Sequence, residues 1–104
     1  MNERTPMKAV WKFTAPFIDV SEITTPRGAQ ILHIAAYNPG WLSVWALVDP
    51  EESRLVTRRL AIAGTGHRRA DIVGRDHLGT VILNEGALVF HVFDLGEYPN
   101  WDAR

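Results

Sequence analysis

Residues 29–48 read AQILHIAAYNPGWLSVWALV, and this stretch decides the fold class. Ala29 to Tyr37 is apolar and rich in side chains that suit a pleated strand. Asn38-Pro39-Gly40 follows, where proline fixes φ and glycine relaxes it, so the chain can reverse. Beyond the reversal, Trp41, Ser43, Trp45 and Leu47 fall on one face of an extended run, and Leu42, Val44, Ala46 and Val48 fall on the other. Two strands around such a turn predict a β-hairpin.

Outward from that hairpin the same period recurs. Residues 8–14 (KAVWKFT) alternate apolar and polar side chains until Pro16 ends the run. Phe17 to Thr25 is ambiguous, since Ile18, Val20 and Ile23 suit either a short strand or one helical turn; Pro26-Arg27-Gly28 is a turn. After the polar stop Asp49-Pro50-Glu51-Glu52, Arg54 to Ala63 alternates again, with Val56, Leu60 and Ile62 on one side. Gly64 to Asp76 (GTGHRRADIVGRD) has no sustained period and reads as a long loop with room for one helical turn. Leu78 to Leu83 and Ala87 to Leu95 form a second hairpin around Asn84-Glu85-Gly86, where Asn and Gly tolerate positive φ. No window carries a convincing amphipathic helix. The expected fold is mostly β: a small antiparallel sandwich or partly open barrel of about six strands with little helix.

At 104 residues the chain is too short for two cores, so residues 1–104 are read as one domain with flexible ends at 1–6 and 97–104. A 46% hydrophobic share with four Trp, four Phe and two Tyr excludes a disordered tail. Without cysteine there is no disulfide framework, thiolate metal site or cysteine nucleophile. No apolar run is long enough for a membrane helix, and Met1 to Pro6 lacks a signal core, which makes a cytoplasm the expected address. Net charge is −1, so no specific nucleic-acid or membrane partner is expected. Locally the balance is different. Arg54, Arg58, Arg59, Arg68, Arg69 and Arg75 face one acid, Asp71, within their own stretch.

The feature most suggestive of chemistry is Gly64-Thr65-Gly66-His67-Arg68-Arg69. Two glycines let backbone N–H groups turn toward one point, and Thr65, His67, Arg68 and Arg69 add donors suited to phosphate or carboxylate. The spacing is that of neither a Walker A loop nor a dinucleotide fingerprint; the competing reading is an exposed turn. Trp45, two positions from Ser43 and four from Trp41, is a candidate stacking platform for a planar ligand or part of an oligomer interface. His33 and His91 each lie in an apolar strand and would form an acid/base pair or metal ligands if those strands paired, against a plain structural role. His67, Asp71, Asp76 and His77 show no metal-ligand spacing, and Ser21, Ser43 and Ser53 lie in no nucleophile elbow. No cofactor, metal or catalytic residue is assigned, and binding is expected over enzymatic turnover.

Trp11-Lys12, Pro26, Gly28-Ala29, Ile31-Leu32, Trp45-Ala46-Leu47-Val48-Asp49-Pro50, Gly64-Thr65-Gly66-His67, Gly79-Thr80 and Gly86-Ala87-Leu88-Val89-Phe90-His91-Val92-Phe93 together form a pattern that resembles a group of short proteins of tailed bacteriophages. No activity is attached to that group, so no catalytic residue carries over. The resemblance implies a phage accessory protein in the cytoplasm of an infected bacterial host. The expected function is sequestration, without turnover, of a small anionic nucleotide-like ligand such as a host immune signal. Its site would be Gly64, Thr65, Gly66, His67, Arg68 and Arg69 with Trp45, in a homo-oligomer. Inhibition of a host protein by surface contact is the alternative, and cleavage of the signal with His67 as acid/base is the third reading.

Overall fold

The hairpin around Asn38-Pro39-Gly40 is the spine of one of two antiparallel sheets in the computed structural model, which describes residues 7–99. Strand β3 (Gln30–Asn38) pairs with β4 (Trp41–Val48), and β1 (Ala9–Pro16) pairs with the other edge of β4. The turn is closed by the Asn38 side chain, whose Oδ1 accepts the Gly40 N–H at 2.8 Å. The second sheet runs β2 (Val20–Pro26), β5 (Leu55–Gly64), β7 (Leu88–Pro99), β6 (Asp76–Leu83). The described chain is mostly strand, in seven strands rather than about six, and the sheets do not close into a barrel. The additional strand is β2, the ambiguous segment. Its inward positions Ser21, Ile23 and Thr25 are buried while Val20, Glu22 and Thr24 are exposed, a two-residue period that settles strand over helical turn.

The alternation of β4 places a fully buried row, whereas that of residues 8–14 does not, since Trp11 is 40% exposed and Phe13 only half-buried. Leu42, Val44, Ala46 and Val48 are at most 1% exposed; Leu42 and Val44 pack with Ile23, Leu60, Ile62, Val81 and Val92 of the other sheet, while Ala46 and Val48 form a second cluster with Ala29 and Phe13. Pro16 and Pro26, which end β1 and β2, lie on edge strands, where a missing N–H leaves no ladder bond unmade. The Asn84–Gly86 turn of the second hairpin is one 3-10 turn with positive φ at Asn84, Glu85 and Gly86. Strand β7 runs four residues beyond Leu95, as far as Pro99, with a register shift opposite Arg59/Leu60. Of the chain ends expected to be flexible, 1–6 and 100–104 lie outside the described residues.

One charged pair is built into the end of the core. Arg58 and Asp94 both point inward, with side chains only 13% and 14% exposed, and make a two-pronged contact at 2.9 and 2.6 Å. Arg58 also donates to the Ala29 carbonyl at 2.7 Å, and Glu97 accepts the Gly28 N–H at 2.7 Å. The turn that carries the chain from β2 to β3 is thus tied to the opposite sheet.

Candidate functional site

Strands β5 and β6 are parallel and separated by β7, so the segment between them must cross a neighbour. That requirement makes residues 65–75 a long loop. Its path is fixed at both ends. Arg69 donates to the Ile62 carbonyl at 2.7 Å, to the Asp19 carbonyl at 3.0 Å, and to both oxygens of Asp71 at 3.1 and 2.7 Å. Arg75 donates to the Leu95 carbonyl at 3.2 Å. The hydrogen bond and charge of Asp71 outweigh partial burial and raise the Arg69 guanidinium further; the same hydrogen bond lowers the Asp71 carboxyl. Arg69 is 15% exposed, a staple that holds the loop against the β1–β2 turn.

The remaining loop residues form the rim of an open depression of about 730 Å³, lined by Asp19, Val20 and Gly66 to Arg69. His67 lies flat over the backbone of Gly64, where a Cβ would meet its Cε1 and Nδ1 at 2.9 Å, so only glycine leaves room for the imidazole. Gly66 takes φ +86°, the left-handed turn that folds the loop back, and the His67 N–H closes it onto the Gly64 carbonyl at 3.1 Å. Arg68 is exposed and pairs with no acid among the described residues. The depression therefore presents one uncompensated guanidinium, one imidazole and the carboxylate of Asp19.

Two expected members stand elsewhere. Thr65 turns away from the depression, donating to the Val89 carbonyl at 3.3 Å and meeting His91 Nε2 at 2.9 Å. Trp45 lies on the outer face of the three-stranded sheet, between the Lys12 ammonium at 5.6 Å and the His33 ring at 5.6 Å. His33 shares that outer face, whereas His91 lies on the other sheet, so the two strands do not pair and their imidazoles do not meet. The arginine-rich stretch is also less positive than its sequence: Arg58, Arg59 and Arg69 are matched by Asp94, Glu22 and Asp71.

Sequence reasoning missed His77 as a partner of His91. Their ring centroids are 6.2 Å apart, with Thr80 between them. His77 and Thr80 are three apart, which on a regular strand puts them on opposite faces. A register shift between His77 and Gly79 makes Leu78 an extra residue and returns both to one face. No sequence period signals such a bulge, although Gly79 is the residue that would mark one.

No curated protein and no solved structure matches this chain. A family model described as a domain of unknown function, DUF7352, matches residues 7–100. That match spans nearly the whole chain, and the protein belongs to the DUF7352 family.

Proposed function

We propose that the protein binds a small anionic ligand, nucleotide-like in size and charge, in the depression between Asp19-Val20 and Gly66 to Arg69, and releases it chemically unchanged. The observation that carries this reading is the division of labour between adjacent arginines. Arg69 is spent on ordering the loop, and Arg68 is left exposed without an acidic partner. A charge-assisted hydrogen bond from Arg68 or His67 to a phosphate contributes about 1.5–3 kcal/mol where water is excluded. Asp19 suits the sugar hydroxyls or amino groups of such a ligand better than a second phosphate, which favours a nucleoside monophosphate-like group over a polyphosphate.

The biological setting of this reading is a phage accessory protein that withdraws a host signal in the infected cytoplasm, acting as a homo-oligomer. The test is calorimetry against mono-, di- and cyclic nucleotides and ADP-ribose derivatives, followed by chromatography of the recovered ligand. Binding that falls at least tenfold in Arg68→Ala, with ligand recovered intact, is the expected result. An altered ligand favours the enzyme reading; a panel without any binder favours contact with a host protein. The latter reading has its own support in Ile18, Tyr37 and Trp41, which are 55%, 78% and 56% exposed around two turns joined by the Phe17 N–H to Gly40 carbonyl bond.

A further inference from the structure

The outer face of the four-stranded sheet carries a linked set of side chains that the loop depression does not use. His77 Nε2 lies 3.2 Å from Thr80 Oγ1, and the same oxygen lies 3.0 Å from His91 Nδ1. On its other side His91 Nε2 meets Thr65 Oγ1 at 2.9 Å. The direction of the chain follows from its far end. A carbonyl only accepts, so the Thr65 hydroxyl donates to Val89 O, and its oxygen is left to accept the N–H of His91 Nε2. In neutral His91 the lone pair is then on Nδ1, directed toward Thr80 and His77.

We propose that His77 and His91 hold a divalent late transition-metal ion, copper, nickel or zinc, between Nε2 of the first and Nδ1 of the second. Imidazole nitrogen is a preferred donor for all three metals. Both nitrogens converge on one point, now filled by a hydroxyl on an exposed side chain that can rotate away. With metal–nitrogen bonds of about 2.0–2.1 Å, each of the two nitrogens needs to approach the shared point by roughly 1 Å, toward which the exposed His77 is free to move. Thr65 performs the service usual for a metal-bound histidine, an oxygen partner on the opposite ring nitrogen that fixes tautomer and orientation.

Among the described residues no third His, Asp, Glu or Cys joins the pair. Water or ligand oxygens complete the coordination, and affinity stays below that of a four-ligand structural site. This inference is independent of the anion-binding reading, since Thr65 faces away from the depression and no residue of the histidine set lines it.

The experiment is titration of the full chain with CuCl2, NiCl2 and ZnCl2 by calorimetry, with electron paramagnetic resonance of the copper form. One equivalent should bind, copper more tightly than nickel, with two nitrogen donors in the hyperfine pattern. His77→Ala, on an exposed position that leaves the core untouched, should weaken binding at least tenfold; His91→Ala should do the same, while His33→Ala and His67→Ala leave it unchanged. Absence of saturable binding at one equivalent overturns the proposal. So does unaltered affinity in the His77→Ala/His91→Ala double variant, or an equal loss in either control.

Discussion

At the scale of single residues, the Arg58–Asp94 pair shows how charge inside a small sandwich sets its acid stability. Burial pushes the Asp94 carboxyl up, but the Arg58 hydrogen bond, the Gly96 N–H and the charges of Arg58 and Arg75 outweigh it, leaving the carboxyl below its ordinary value of 3.8. A lowered carboxylate stabilises the fold above the unfolded value, and that contribution is lost as pH falls through the folded one. Asp94→Asn should therefore cost about 1–3 kcal/mol at pH 7, because it leaves Arg58 poorly matched in a partly screened site. It should cost less at a second, acidic pH well below the ordinary carboxylate value. Urea denaturation at the two pH values measures the difference, and equal losses at both would show that the pair carries no pH-dependent stability. Gly64 offers a complementary case in which affinity rather than stability is at stake. In Gly64→Ala the new methyl displaces the imidazole of His67, a movable ring rather than backbone. Ligand affinity should fall several-fold with little change in melting temperature, read by calorimetry together with the His67 ring resonances.

At the scale of elements, the Asn84–Gly86 turn puts Glu85 at φ 55°, a conformation that a side chain with a Cβ adopts at a cost of about 1–2 kcal/mol. Glu85→Gly should relieve that strain while loosening the unfolded chain, for a net gain of up to about 1 kcal/mol, whereas Glu85→Val should lose at least as much. Thermal unfolding followed by circular dichroism decides it. This turn was legible in the sequence because Asn and Gly flank it, and β4 was legible to its end residues because both its rows alternate without interruption. Strand β2 was not, since Ser21 and Thr25, buried and polar, blur the inward row that Ile23 alone marks as apolar. The loop was recognised as irregular, but the separation of Arg68 from Arg69 was invisible. The acid that claims Arg69 is two residues away, and the two carbonyls that share it come from β5 and the β1–β2 turn. The His77–Thr80 spacing was hidden by a bulge that exists only once β6 is paired with β7. Local pattern thus carried the ladders, while tertiary register determined the chemistry.

At the scale of the whole molecule, the two sheets divide their tasks. The four-stranded sheet carries the loop depression and the histidine pair on its end and outer face. The three-stranded sheet presents Trp41 and the Lys12–Trp45–His33 stack on its own outer face. A partner is expected for that second surface, and a second copy of the chain is the simplest one, because strands β1 and β3 are both edges of a three-stranded sheet. Trp41 is 56% exposed, and covering a side chain of that kind contributes about 1.5–3 kcal/mol, enough to shift a weak dimer by one to two orders of magnitude in affinity. Multi-angle light scattering across a concentration series should give a mass above 11.7 kDa for the native chain. Trp41→Ser should return it to the monomer with little loss of melting temperature measured at low concentration, since more than half of the residue is already exposed in its own subunit. A native chain that remains monomeric at every workable concentration would leave the aromatic face to a different protein, and the same Trp41→Ser variant would then be the one with which to measure that contact.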